Sequence, residues 1–319
     1  MRTWGAFRER GIVLVLLALG AVLWAVAPRT DGRSAFLDRE NLMQVARAFS
    51  FTGTAAVGAT MVIVAGGIDL SAGSVLGLAV VVVSLLASHG AGVAVACLGA
   101  LGAAAGCGAV NGLLIAGAGL PPFIVTLGML SVARGGAYFL TGGQVVSGLP
   151  DTFIQFGQGH LGGVLPYPVL AMLVTAALGA AVMRLTTFGR SLHALGGNAE
   201  AARLSGLAVG RLTVAVYALG GAAAGLAGLL YAARFGYGSS TAGLGWELQI
   251  ISAVVIGGTS LAGGDGSVIG SVLGAAVMGL ITNGLTLLSV PEEYNQFVVG
   301  AVIVLAVLAD RLRSRRKTG

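Results

Sequence analysis

Eight stretches of the chain contain no Asp, Glu, Lys or Arg: residues 11–28, 48–68, 70–133, 152–183, 212–233, 248–264, 266–291 and 294–309. A helix needs about 20 apolar residues to cross the hydrocarbon of a bilayer, so most of these runs hold one crossing. The run 70–133 is too long for one, and the polar break Ser88-His89-Gly90 and the pair Pro121-Pro122 divide it. The pattern predicts about ten spans, at 11–27, 47–65, 73–88, 91–117, 123–140, 164–183, 212–232, 248–261, 268–288 and 296–309. Lipid offers no hydrogen bonds to the backbone, so the spans are expected to be helical. None of the runs alternates apolar and polar residues as a membrane barrel strand would. The expectation is an all-α, polytopic membrane protein forming one transmembrane domain over residues 1–319.

Composition agrees: 9% of residues are charged and 56% are hydrophobic, with a mean hydropathy of +0.93, where a soluble domain carries about 25% charge. The 54 glycines follow no collagen-like period and suit close helix contacts in lipid. Ten spans place both termini on one side. If that side is the cytoplasm, it receives Arg2, Arg8, Arg10, Arg184, Arg190, Arg203, Arg211, Arg311, Arg313, Arg315, Arg316 and Lys317. The outside receives Arg29, Arg33, Arg39, Arg47 and Arg234, the asymmetry expected of a membrane protein. Four of those arginines fall in the 28–47 segment, among Asp31, Asp38 and Glu40. The first apolar stretch exceeds a secretory h-region and Pro28 follows its Ala25-Val26-Ala27, so it reads as an uncleaved first helix. The net charge of +6 lies mostly at helix ends and gives no reason to expect nucleic acid.

Several chemistries are excluded. The only lysine is Lys317, so no phosphate-binding loop of the GxxxxGK[ST] type is present. A transport cycle using ATP requires another polypeptide to hold the nucleotide and its Mg²⁺. His89, His160 and His193 are far apart and lack metal-ligand spacing, which makes them loop or interface histidines. No Gly-x-Ser-x-Gly stands at a strand-to-helix turn, and no catalytic residue, cofactor or metal is expected in this chain. Cys97 and Cys107 share one span and imply no disulfide.

Three segments carry the functional signal. In Gly66-Gly67-Ile68-Asp69-Leu70-Ser71 the glycines end one helix, and Asp69 is placed to cap the next or to serve as a gate or pathway group. The longest expected cytoplasmic loop, about 184–211, contains Asn198 as an N-cap, Ala199 to Ser205 as helix formers and Gly206 as a stop. It predicts a helix of about two turns, roughly 10 Å long, either a partly solvated loop turn or a knob for a partner's groove. The third segment packs five glycines into 257–266, where Asp265 echoes Asp69. Gly-Ser-Val-Leu-Gly occurs at 73–77 and again at 270–274, a partial duplication of the kind transporters contain. Arg134 interrupts the fifth span, as an interfacial anchor or a pore-lining cation. Glu247, Glu292 and Glu293 fall at outer helix ends and read as surface charges.

Taken together, these motifs resemble a known family. Residues 61–71, Met-Val-Ile-Val-Ala-Gly-Gly-Ile-Asp-Leu-Ser, are similar to the hallmark of the ribose/xylose-type permeases of bacterial ATP-binding-cassette (ABC) importers. So are Pro121 to Met129, the Gly189-Arg190 to Gly206 loop, and Ala253 to Gly266, in the same order along nearly the whole chain. The resemblance implies a homodimer or paired permease of ten-helix subunits in the bacterial inner membrane. Each subunit would touch a cytoplasmic ATPase, and an extracytoplasmic sugar-binding protein would dock outside. It further implies that Asn198, Glu200, Ala201, Ala202, Arg203 and Gly206 form the ATPase-coupling helix, and that specificity rests largely on the binding protein. Gly66, Gly67, Asp69, Ser71, Arg134 and Asp265 remain the candidate gate, turn or pathway residues. Sister permeases carry branched-chain amino acids, and related subunits carry nucleosides. An ion-driven secondary transporter would also fit helices broken by glycine, but such carriers use an acid near the midplane, whereas Asp69 and Asp265 fall at expected turns.

Overall fold

The computed structural model describes residues 2–30 and 33–291, together with positions 294, 297, 298, 300–302, 304, 305 and 308. The last expected span, 296–309, falls partly outside the described residues, and Asp31, Glu292, Glu293, Lys317 and the C-terminal arginines lie outside them. In chain order the helices are α1 (Arg2–Val26), α2 (Arg39–Val64), α3 (Ala72–Ser88), α4 (Val93–Ala118), α5 (Pro122–Thr141), α6 (Asp151–Gln158), α7 (Tyr167–Leu185), α8 (Thr187–Gly197), α9 (Ala199–Leu204), α10 (Val209–Phe235), α11 (Trp246–Ile256) and α12 (Val268–Leu287). Two small antiparallel hairpins interrupt them: β1 (Arg29–Thr30) with β2 (Arg33–Ser34), and β3 (His160–Leu161) with β4 (Leu165–Pro166). Among the described residues six helices are long and apolar enough to cross a membrane, namely α2, α4, α5, α7, α10 and α12, and α3, α11 and residues Arg10–Val26 of α1 form shorter apolar helices. The chain is a multi-pass, all-α membrane protein.

Small residues set the packing. Along α4, Ala96, Ala100, Ala104, Gly108 and Gly112 repeat every fourth position and are buried, while Leu98 and Leu113 on its other faces are bare. Position i+4 lies on the same helix face, so the repeat forms one flat stripe against α10. A Cβ on Gly108 would overlap the Tyr217 carbonyl oxygen, and one on Gly221 would overlap that of Ala104. Close backbone approach replaces the water-driven hydrophobic gain that lipid cannot supply. α2 is the central helix: every residue from Ser50 to Val64 is buried.

The duplicated Gly-Ser-Val-Leu-Gly has the same use in both copies. Gly73 and Gly77 on α3 admit the backbone of Gly243 and Ala242, and Gly270 and Gly274 on α12 admit that of Gly257 and Ala253. The two helix starts therefore each receive a neighbouring strand of chain against a glycine pair four residues apart.

Three boundaries differ clearly from expectation: α1 begins at Arg2 and α2 at Arg39, where 11 and 47 were expected, and α11 ends early. The helix expected over 248–261 stops at Ile256, because Gly258 adopts φ 84°. There Thr259 N–H reaches Val254 O and Gly258 N–H reaches Val255 O, closing the end as a left-handed glycine cap does. Eleven residues rise only about 16 Å, half of a roughly 30 Å hydrocarbon core. The preceding segment 236–245 supplies the rest in non-helical form and runs along α3. Irregular backbone at that depth needs its polar groups satisfied. Gly238 exchanges two 2.8 Å hydrogen bonds with Val146, and Arg134 Nη1 donates to Ser240 O at 2.6 Å and Ala242 O at 2.7 Å. Arg134 thus binds carbonyls of the unwound segment. It completes the unwound segment. Glu247, expected at the surface, is half-buried, and its Oε2 is enclosed without a hydrogen-bond partner among the described residues.

Candidate functional site

Three chain reversals meet at the end of the molecule where α2 finishes. At the first, Gly66 N–H bonds Ile63 O and Gly67 N–H bonds Val62 O, with Gly66 at φ 85°. Only glycine takes such a backbone without strain. The second is the end of α11 and the loop through Gly263 and Gly264, both at positive φ. The third is the C-terminal end of α8. A Cβ on Gly196 would overlap the Val64 carbonyl oxygen and lie 2.6 Å from Gly264 N, and one on Gly263 would lie 2.8 Å from Gly196 O. Gly264 N–H donates to Val64 O at 2.9 Å, and His193 Nδ1 lies 2.9 Å from Gly264 O. Three separately quoted motifs are one junction.

The Gly66–Ser71 turn is held from several sides. Asp69 is buried, and its Oδ1 accepts from Ser71 N–H at 2.8 Å and Ser71 Oγ–H at 2.6 Å. Asn111 on α4 donates from Nδ2 to Ser71 Oγ at 3.1 Å. Ile68 O accepts from Tyr217 on α10 and from Thr126 on α5, each at 3.3 Å. The expected N-cap needs correction here. Ser71, not Asp69, precedes α3, and it makes no side-chain cap bond. Asp69 instead closes a turn on the residue two ahead, the local bond that short acidic side chains favour. Asp265, its sequence echo, is exposed, so the two are not equivalent.

The loop 184–211 folds into two helices where one was expected. Thr186 caps α8 by accepting Gly189 N–H at 3.2 Å, and Asn198 caps α9 by accepting Ala201 N–H at 2.9 Å. Leu192 and Leu195 are buried on one face of α8, Leu192 in a cluster with side chains of α2, α7 and α10. α9 closes at Gly206, φ 84°, with Gly206 N–H on Arg203 O and Leu207 N–H on Ala202 O. Ala202 faces inward, while Ala201, Glu200, Arg203 and Leu204 face out, Leu204 being 77% exposed. Glu200 and Arg203 pair through two bonds of 2.7 and 3.1 Å. A pair this exposed contributes little stability, but it fixes the charged surface of the knob.

The candidates therefore divide. Gly66, Gly67, Asp69, Ser71 and the Asp265 loop share the junction, and α9 joins it through α8. Arg134 belongs to the α3–α11 contact. Sequence reasoning passed over Asn111, Thr126, Tyr217 and Gly196 as site residues and read His193 as a loop or interface histidine. Asn111 was detectable, being the only amide in the apolar run 91–117. Tyr217 carried no such mark.

At the opposite end lies a cavity of about 810 Å³ between α2, α10, α11 and α12. Phe51, Tyr231 and Trp246 line it, with Arg47 and Arg234 also in its wall. Arg47 Nη2 meets His160 Nε2 of the β3–β4 hairpin. Burial and the neighbouring Arg47, Arg39 and Arg234 hold His160 below the ordinary histidine range. A neutral imidazole is the form that can accept from a guanidinium.

Comparison with known proteins is consistent along the chain. The family model described as "Branched-chain amino acid transport system / permease component" matches residues 41–307. The ribose import permease protein of Escherichia coli K12 is 39% identical over 306 residues, covering 95% of this chain and 93% of that one. That of Bacillus subtilis 168 is 36% identical over 312 residues, 97% and 95% of the two chains. The L-arabinose ABC transporter permease protein of Azospirillum brasilense is 34% identical over 314 residues, 98% and 91%. No solved structure matches. A polytopic helical body, the Gly-Gly-Ile-Asp-Leu-Ser turn and full-length likeness to sugar permeases agree, and the chain belongs to this ABC importer permease family as a membrane subunit of sugar transport.

Proposed function

We propose that this chain is the translocating subunit of a binding-protein-dependent importer for a monosaccharide of the ribose, xylose or galactose kind, driven by ATP hydrolysis in separate partner subunits. The junction end faces the cytoplasm and the hairpin end faces outward, with ten spans per subunit, two subunits per importer, and residence in the bacterial inner membrane. α9 docks in a groove of the ATPase, which holds ATP and Mg²⁺, and a sugar-binding protein delivers solute from outside.

The observation that carries this reading is the attachment of α8 to both broken-helix turns. A push on α9 reaches Val64 at the foot of α2 and Gly264 below α11 through backbone contacts, without an intervening flexible side chain. Packed backbones transmit displacement because interiors are close-packed. The likeness to ribose and arabinose permeases supports a sugar over the branched-chain amino acids or nucleosides carried by related subunits.

The test is reconstitution with its ATPase and binding protein in proteoliposomes, offered D-ribose, L-arabinose, D-xylose and D-galactose. ATP-driven accumulation of at least one, abolished when α9 is disrupted by Gly206→Val, is expected. Accumulation by the chain without any ATPase would instead establish an ion-driven carrier and overturn the reading. So would failure to carry any of the four.

A further inference from the structure

Five aromatic side chains gather at the end remote from the junction. Phe51 meets Tyr231 edge-on at 6.0 Å between ring centroids and stacks on Trp246 at 6.4 Å. Tyr231 lies 5.6 Å from Trp246 and 4.4 Å from Phe235, which continues to Tyr237. The first four form part of the wall of the 810 Å³ cavity, within the size range of small-molecule sites.

The rest of the wall is unusual in what it leaves undone. Thr54, Thr60, Thr126, Thr141, Thr175, Thr213 and Thr286 each return their hydroxyl to the carbonyl four residues back. Thr52 and Thr282 sit in the same kind of helix, their hydroxyls make no hydrogen bond among the described residues, and both line the cavity. The side chains of Gln44 and Gln249 are likewise without a protein partner there, and also line it. None of these four is sealed off, since none is among the enclosed polar atoms left without a partner. Their capacity is open to whatever fills the space. Among the described lining residues there is no Asp or Glu, while Arg47 and Arg234 are present, which disfavours a cationic occupant.

Ring faces beside unspent hydroxyl and amide groups match one class of small molecule. A sugar ring has an apolar C–H face that packs on an aromatic ring and an edge of hydroxyls that both donate and accept. We propose that this cavity is a sugar subsite within the permease itself, where Trp246 and Tyr231 take the face of one neutral or acidic ring and Thr52, Thr282 and Gln249 read its hydroxyls. The inference rests on the sugar-import reading above and adds to it a second selection step. The family resemblance leaves specificity largely to the binding protein. Here the pathway sorts solutes as well.

The experiment uses the complete reconstituted importer and compares uptake of the accumulated sugar with uptake of its monodeoxy analogues. In the parent, the analogue lacking the hydroxyl read by Thr282 is disfavoured. Thr282→Val removes the partner, so discrimination against that analogue should fall about fivefold, the loss of one hydrogen bond. Gln249→Ala should do the same for another analogue. Taking the ratio cancels the binding protein's own preference, and a merely misfolded variant lowers both rates without changing it. Trp246→Ala should reduce sugar uptake at least tenfold and Trp246→Phe should restore most of it.

Unchanged ratios in both polar variants, with the parent active, would refute the subsite and leave the permease reading standing. A lipid held in the cavity that millimolar sugar does not displace would refute it too. An inactive parent across the four-sugar panel would remove the permease reading, and the subsite with it.

Discussion

Gly196→Ala should separate assembly from coupling more sharply than any other single change. Its added Cβ would overlap the Val64 carbonyl oxygen and lie 2.6 Å from Gly264 N, where ordinary contact begins at 3.4 Å. Relief on the Gly264 side alone requires an opening of about 0.8 Å, which stretches the 2.9 Å bond between Gly264 N and Val64 O to about 3.7 Å. That bond is then lost, at about 1 kcal/mol, and the overpacked backbone adds about 1–3 kcal/mol. The sum is about 2–4 kcal/mol. Neighbouring Gly197 supplies the control, since a Cβ there meets nothing within 4 Å. Alanine at 197 favours the helix by up to about 1 kcal/mol and should be silent or slightly stabilising. The assay is thermal unfolding of the purified complex beside sugar transported per ATP hydrolysed. Gly196→Ala should lower both, the second by at least tenfold, and Gly197→Ala should lower neither. A Gly196→Ala protein matching the parent in melting and stoichiometry would show that the α8 contact transmits nothing.

Asp69→Asn keeps an oxygen for both Ser71 donors and should accumulate and transport normally, whereas Asp69→Ala strands a buried N–H and hydroxyl and should cost about 2–5 kcal/mol. Normal abundance with abolished transport in Asp69→Asn would show instead that the carboxyl acts in the pathway. Arg134→Met removes the donor shared by Ser240 O and Ala242 O and should destabilise by about 2–6 kcal/mol, with Arg134→Lys recovering part, both read by denaturation in detergent. A stable Arg134→Met would mean that water satisfies the unwound segment. His160 gives a pH dependence: its folded-state pKa is depressed, so the neutral form is favoured on folding. The contribution of the β3–β4 hairpin is complete above the ordinary value near 6.5 and is lost as pH falls through the depressed folded value. Protection of the amides of residues 160–166 from hydrogen exchange, corrected for the intrinsic slowing of exchange with acidity, should fall on acidification from pH 7 to 5, and His160→Gln should flatten that response.

Much of the fold was readable because lipid removes choices. Charge-free runs located nine helices, six of them with both ends within three residues, as no other element hides its backbone there. Paired glycines marked the ends of α2 and α11, and Asn198 with Gly206 bracketed α9, since caps are local chemistry. What stayed hidden depends on distance in the chain. α8 was missed because its apolar face is buried, Leu192 in a cluster with side chains of α2, α7 and α10, which no local pattern reveals. The partners of Arg134 were not readable, because they are the carbonyls of residues 106 and 108 positions away. The charge-free stretch 236–245 gave no hint that non-helical chain there would run against two glycines of α3.

The cavity and the junction are joined by the same two helices. α2 carries Phe51 and Thr52 in the cavity wall and ends at Val64, and α11 carries Trp246 and Gln249 and ends at Gly257. Between those points α2 is buried on all sides, and α11 rests on Gly270 and Gly274 of α12. Neither helix can bend independently of its neighbours without opening voids, at about 24 cal/mol for each Å³ created. A rigid-body shift delivered at Val64 and Gly264 therefore displaces Phe51 and Trp246 together. Stacked aromatic rings tolerate sliding better than separation, because offset arrangements lie close in energy. On the import reading, ATP-driven motion of α8 would alter the cavity's shape before it altered the fold, and a bound ring would lose its stacking face at the moment the junction opens.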